Sequence, residues 1–163
     1  MAGWVALLIP LLALEREMKA TGGPGIIPFE VAGSEQRAKR ITQRWGASGQ
    51  AAARRSLLLD YPYLVGYATL QAIACEMAGE SMRRQGFELR GGAAAALAWG
   101  QLAAGGFDAI ENAALLGVLA GRSERLPALA RACATVKFML IFSGWAYGLL
   151  GLASRRHADH ASD

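Results

Sequence analysis

The stretch from Gly91 to Leu119 is almost wholly apolar, yet it carries Asp108, Glu111 and Asn112 well inside it. At about 1.5 Å per helical residue, a run of this length spans a hydrocarbon layer of about 30 Å, so it predicts a transmembrane helix. An ionisable group at that depth costs about 2.5 to 3.5 kcal/mol on insertion scales. The stretch therefore predicts a membrane protein with a buried polar site.

The composition of the whole chain also favours a membrane domain. The 163 residues are 53% hydrophobic and 18% charged, and the apolar residues lie in blocks. The formal net charge is +4, but the basic residues flank the apolar blocks, where anionic lipid headgroups explain them better than nucleic acid does. Cys75 and Cys133 lie in apolar segments, which favours reduced packing residues over a disulfide scaffold. We therefore expect membrane lipids as partners and no nucleic acid.

Four apolar blocks predict an all-α fold, a polytopic membrane helix bundle with three full-length spans and a short first span. The predicted spans of this single membrane domain, residues 1–153, cover residues 1–20, 56–78, 93–119 and 126–153. The first block contains Pro10, so it either crosses the membrane at a tilt or forms a re-entrant hairpin. It lacks a basic start and a small-residue cleavage site, which argues against a signal peptide. Residues 154–163 are a predicted polar tail.

The connection between the first two spans predicts an amphipathic interfacial helix over residues 35–45. Ser34 suits its N-cap, and Gly46 suits its end. Basic residues cover one side and Trp45 lies on the other, a pattern typical of a lipid interface and also of a solvated surface helix. The glycine- and proline-rich segment 22–30 before it predicts a loop.

The second span carries a polar stripe. At about 100° per residue, Asp60, Tyr63, Tyr67 and Gln71 share one helical face. Pro62 either kinks this helix or starts it with Asp60 as the N-cap. Asp60 therefore has both a functional and a structural interpretation.

Depth and helical face predict that the polar groups of three spans meet in the bundle interior. Asp108, Glu111 and Asn112 lie at about the depth of Asp60 in the second span and of Lys137 in the fourth. Three acids and one lysine leave a surplus carboxylate, which we expect to be protonated, bound to a cation or paired with Arg54 or Arg55. The predicted ligand-binding residues are Asp60, Tyr63, Tyr67, Gln71, Asp108, Glu111, Asn112 and Lys137.

This predicted site favours a protein that binds a small amphipathic or cationic ligand, or relays protons, with Lys137 as counter-ion. A first alternative is an intramembrane acid/base enzyme on a lipid-like substrate, with Asp60, Asp108 and Glu111 as catalytic groups. A second is an accessory subunit whose polar cluster only fixes helix packing. We expect no metal and no cofactor, because Lys137 lies beside the acids and no cofactor motif is present.

The distribution of basic residues predicts the topology. Arginines and lysines are concentrated in the first and third connections, so the positive-inside rule places these in the cytoplasm and both termini outside, in a multi-pass inner-membrane protein. Gly144 and Gly148 have the spacing that permits close helix approach. A second copy of the chain or another membrane protein is therefore a candidate partner.

Four short segments follow one another across most of the chain: Phe29-Glu30, Leu59-Asp60-Tyr61, Phe107-Asp108-Ala109-Ile110-Glu111-Asn112 and Thr135-Val136-Lys137-Phe138. They resemble a group of uncharacterised small bacterial four-helix inner-membrane proteins, and this resemblance implies a four-helix membrane fold but no activity. A looser similarity to the sterol-isomerase and emopamil-binding family rests on helix count and buried acids. Because the predicted spans contain no histidine, none of that family's catalytic residues is carried over.

Overall fold

The computed structural model describes residues 6–86, 92–122 and 124–160, with side chains described up to residue 152. This part of the chain is all-helical. Its helices are α1 (Leu8–Ala20), α2 (Ile26–Glu30), α3 (Glu35–Arg84), α4 (Ala93–Leu119) and α5 (Leu126–His160). The chain divides into two compact units: unit 1 comprises Met1–Gly66 and Gly106–Val136, and unit 2 comprises Tyr67–Gly105 and Lys137–Asp163. The long helices α3, α4 and α5 each contribute to both units.

Helix α3 is interrupted once, at Gly46, where φ is 57° and ψ is −163°. The segment before the break, residues 35–45, is the predicted amphipathic helix, and a glycine is favoured at the break because its φ is positive. The segment after it runs through Pro62, which lies inside the helix and does not end it. The alternative in which Asp60 is an N-cap is therefore wrong, because Asp60 lies within a continuous helix.

Helix α4 has the predicted bounds, 93–119. It ends in a Schellman motif, in which the Arg122 N–H donates to the Gly117 carbonyl and the Gly121 N–H donates to the Val118 carbonyl, both at 3.0 Å. Gly121 has a φ of +67°, which the motif requires at this position. Two hydrogen bonds thus satisfy carbonyls that the end of the helix would otherwise leave unpaired.

Two helical segments of the described chain are long and apolar enough to cross a membrane: Ala93–Leu119, and Leu126–Leu152 within α5. The predicted spans over residues 1–20 and 56–78 are not among them and stay predictions. Helix α1 has 13 residues, which cover about 20 Å, and residues 1–5 of the predicted first span lie outside the described residues. The segment predicted as a loop, residues 22–30, contains the short α2, and α5 continues into the predicted polar tail.

The core of unit 1 contains large side chains. Trp45 is 1% exposed, its ring packs edge-on against Phe29 with centroids 5.0 Å apart, and its Nε1–H donates to the Pro24 carbonyl at 2.6 Å. The Trp45 ring is enclosed by protein, so it does not make the contact with lipid that the lipid-interface interpretation of residues 35–45 would give it. Hydrophobic periodicity identified the apolar face of the helix but not what would cover it.

The core of unit 2 contains small side chains. Its buried cluster is mostly alanine, with Cys75, Met82 and Tyr147 as the larger members. Helices approach closely where glycine is present: a Cβ added at Gly151 would lie 2.7 Å from the Ala78 Cβ and 3.1 Å from the Ala78 Cα. The packing of unit 2 thus depends on the close approach of helix backbones.

Candidate functional site

Unit 1 brings together five of the predicted polar residues, which we call the acidic cluster: Asp60, Tyr63, Asp108, Glu111 and Asn112. The side chain of Asp108 is 5% exposed, that of Glu111 is fully buried and that of Asn112 is 2% exposed. The Asn112 Nδ2 donates a hydrogen bond of 2.8 Å to the Asp60 Oδ2. The bond directly joins the polar stripes that the sequence predicts on the second and third spans.

The spacing of the three polar residues of α4 places their side chains on one side of the helix. In α4, Asp108 and Asn112 are four residues apart, and Glu111 is three residues from Asp108, so the three side chains project on neighbouring parts of one face. The Tyr61 hydroxyl of α3 donates to the Ala109 carbonyl at 3.3 Å. Two polar contacts, one on each side of residue 110, therefore fix α3 against α4 within unit 1.

Tyr63 and the acids share one electrostatic environment. The Tyr63 phenol interacts electrostatically with Asp60 and Asp108. Burying a carboxylate is costly unless a hydrogen bond, a cation or a proton compensates the charge. A cluster that holds three carboxyl groups can therefore hold protons or bind a cation. Among the described residues, no group of three or more His, Cys, Asp and Glu side chains is arranged to hold a metal ion.

The remaining predicted site residues belong to unit 2. Tyr67 and Lys137 are buried, and Gln71 is half-buried. The Lys137 Nζ lies 4.9 Å from the centroid of the Phe138 ring, a distance typical of a cation–π contact. The role of Lys137 as counter-ion to the acids stays a prediction.

Gln101 is a buried polar residue of unit 2 that the predicted site did not include. It is fully buried, and its Nε2 donates to the Leu140 carbonyl at 2.8 Å. A Cβ at Gly144 would collide with its amide group, so the glycine creates the space that this side chain occupies. The signal was in the sequence, because Gln101 lies on the same helical stripe as Asp108 and Asn112.

Unit 2 also contains an apolar cavity of about 410 Å³ beside α5. Its walls include Trp145 and Leu149 together with the small residues Ala78, Gly144 and Gly148. The Gln71 Oε1, also on this wall, is buried and makes no hydrogen bond within the described part of the chain. Gln71 therefore places a polar atom on the wall of an otherwise apolar cavity, and its role in ligand binding stays a prediction.

Another buried acid of unit 1 was missed as a site candidate. Glu30 ends α2 and is only 9% exposed. The sequence places it in a segment rich in glycine and proline, where an exposed acid is the ordinary expectation. Its burial follows from tertiary packing of α2 in unit 1, which no periodic pattern indicated.

Comparisons with models of protein families, with curated proteins and with solved structures found no match to this chain.

Proposed function

We propose that this chain is a small integral membrane protein whose acidic cluster binds a small cationic or amphipathic ligand, or relays protons, within the bilayer. Asp60, Asp108 and Glu111 are the proposed binding groups. Tyr63 and Asn112 orient them. The observation that carries the proposal is the burial of Asp108 and Glu111 in unit 1, on a helix long and apolar enough to cross a membrane.

Buried carboxyl groups are costly, and this cost supports a functional role. Intramembrane ionisable residues are rare, face the interior of a bundle and mark ligand or proton pathways. A purely structural cluster needs only enough polar groups to pair with one another, and the Asn112–Asp60 hydrogen bond already supplies a register contact between α3 and α4.

The outward faces of the long helices support a membrane location. Helices α4 and α5 expose many large apolar side chains, which in water would be a strong aggregation liability and in lipid is the ordinary state. Examples on α4 and α5 are Trp99, Ile110, Met139, Phe142, Trp145, Leu149 and Leu150. We further propose a multi-pass inner-membrane protein with both termini outside, an orientation that the distribution of arginine and lysine supports.

Ligand binding is tested with tetraphenylphosphonium, a lipophilic cation, on the purified full chain in a neutral detergent. Asp108→Asn and Glu111→Gln remove charge at nearly constant volume, so we expect each to weaken binding at least tenfold while the helical content is retained. Glu76→Gln is the matched control, because Glu76 is an exposed acid on α3. The control should bind like the wild type.

Proton relay is tested on the same variants in vesicles loaded with a pH-sensitive dye. We expect an imposed potential to drive proton uptake through the wild type and Glu76→Gln, and not through Asp108→Asn. If the folded cluster variants bind the probe and conduct protons as the wild type does, the proposal is wrong. Loss of folded protein in every cluster variant would instead support a structural role for the acids.

A further inference from the structure

Unit 1 contains a second charged feature, a groove of about 300 Å³ between the α2 region and the first segment of α3. We call it the arginine groove; its walls include Pro28, Val31, Arg37, Arg40, Ile41 and Arg44. It is formed by other residues than the acidic cluster.

The three arginines form one stripe. They are spaced three and four residues apart on the 35–45 segment, so their side chains project from the same face over about two helical turns. All three are exposed. Trp45 anchors this segment by packing on Phe29 of α2, which holds the stripe beside the apolar wall of the groove.

The three arginines of the groove differ from five other basic side chains of the described residues in making no ion pair. Those five pair with nearby acids: Lys19 with Glu15, Lys39 with Glu35, Arg55 with Glu17, and Arg83 and Arg84 with Glu80. Within the described residues, Arg37, Arg40 and Arg44 make no ion pair. Lys39 lies on the same 35–45 segment but is not part of the groove wall, and it forms an ion pair with Glu35. Within this segment, the basic groups without an ion pair are therefore those that line the groove.

The groove also has an apolar wall. Val31 is exposed, and Pro28 and Ile41 complete an apolar surface beside the guanidinium groups. A free anion would contact only the arginines. A phospholipid would contact the arginines through its phosphate and the apolar wall through its glycerol and upper acyl carbons. Charge and shape together favour the lipid.

We propose that the arginine groove is a binding site for the headgroup of an anionic phospholipid. Arg37, Arg40 and Arg44 bind the phosphate and the headgroup charge, and Val31 contacts the start of the acyl chains. The site is independent of the acidic cluster, so either proposal can fail without the other.

The test measures lipid binding to the full chain in a neutral detergent by native mass spectrometry. The probes are phosphatidylglycerol and phosphatidylcholine with the same acyl chains. We expect the wild type to prefer phosphatidylglycerol and to lose that preference as the salt concentration rises, because exposed charges are screened. If both lipids bind equally at low salt, the proposal is overturned, whatever the variants do.

A triple variant, Arg37→Gln, Arg40→Gln and Arg44→Gln, removes the stripe while keeping residues that favour a helix. The matched control, Arg16→Gln, Arg54→Gln and Arg122→Gln, removes the same net charge from exposed arginines outside the groove. At about fivefold per arginine at an anionic lipid, we expect the groove triple to weaken phosphatidylglycerol binding about a hundredfold and the control to change it little. Equal losses in the two triples would overturn the proposal in favour of unspecific charge attraction.

Val31→Ser separates a phospholipid from free phosphate. We expect it to weaken phosphatidylglycerol binding severalfold and to leave the binding of inorganic phosphate unchanged. If inorganic phosphate displaces the lipid at comparable concentration and Val31→Ser has no effect on either, the groove binds a free anion and the headgroup assignment is wrong.

Discussion

Units 1 and 2 are built from the same long helices but fill their interiors differently. The largest fully buried side chains of unit 1 include Trp45, Phe29, Met18 and Leu57. The buried cluster of unit 2 is mostly alanine, and large apolar side chains such as that of Trp99 are exposed there.

The difference indicates two ways of stabilising helix contacts. Burial of a large side chain removes much apolar area from water, so it is a strong driving force where water is the solvent. Lipid tails are as apolar as leucine, so helices in a membrane gain from close contact between small residues and from polar contacts. Unit 1 has the kind of interior that burial of large side chains from water stabilises, whereas unit 2 has the kind that close approach of helices stabilises.

The largest expected effect is on the core of unit 1. Trp45→Ala should lower the free energy of unfolding by about 3 to 5 kcal/mol, because it leaves a large cavity and removes the hydrogen bond to the Pro24 carbonyl. Trp99→Ala is the matched change in unit 2, where the ring is 71% exposed, and should cost far less. Denaturant titration followed by circular dichroism measures both. Equal losses would remove the distinction between the two interiors.

The next effect concerns the polar contact of unit 1. Asn112→Ala should cost about 1.5 to 3 kcal/mol, because it removes a hydrogen bond to a carboxylate in a buried position. A double-mutant cycle with Asp60→Ala measures the coupling between the two side chains by the same denaturant titration. Additive losses would mean that the contact contributes nothing of its own.

Close approach in unit 2 predicts a smaller effect. Gly151→Ala should cost about 1 kcal/mol, because the new methyl group would meet the backbone of Ala78. Gly148→Ala is a control on the same helix, since a Cβ there has no neighbour within 4 Å, and it should be neutral or stabilising. Thermal unfolding of the two variants in one detergent compares them. A loss at Gly148 as large as that at Gly151 would contradict the packing described for unit 2.

The smallest effect is a pH dependence at the end of α3 in unit 2. Hydrogen bonds from Arg83 and then Arg84 lower the pKa of Glu80 below its ordinary value of 4.5. A carboxyl whose folded pKa is depressed stabilises the fold above pH 4.5, and this contribution is lost as the pH falls through the folded pKa. Glu80→Gln should therefore flatten the acid side of the melting-temperature profile slightly, and Glu76→Gln should not. Identical profiles for wild type and Glu80→Gln would show that the pairing is not maintained in solution.

Regular features of the fold could be predicted from the sequence. The bounds of α4 follow from a long apolar run between Gly92 and Gly121, both of which have positive φ. The break after residue 45 follows from Gly46. Local chemistry determines such features, because helix propensity and end signals act over a few residues.

Other features depend on contacts between segments distant in sequence. Pro62 interrupts a local hydrogen-bond pattern, but the helix continues through it. The apolar face of the 35–45 segment was recognised, but its partner was not: Trp45 packs on Phe29, which lies in a segment with loop composition. Periodicity defines a face, whereas the surface that covers it depends on the whole fold.

The acidic cluster combines both kinds of information. The sequence by itself determined that α4 is a long apolar helix carrying Asp108, Glu111 and Asn112 on neighbouring faces, because helical spacing is a local property. Only the tertiary structure decided that Asn112 donates to Asp60 and that Trp45 is enclosed by protein. The physical reason is that partner choice is determined by the packing of whole helices, which no single helix encodes.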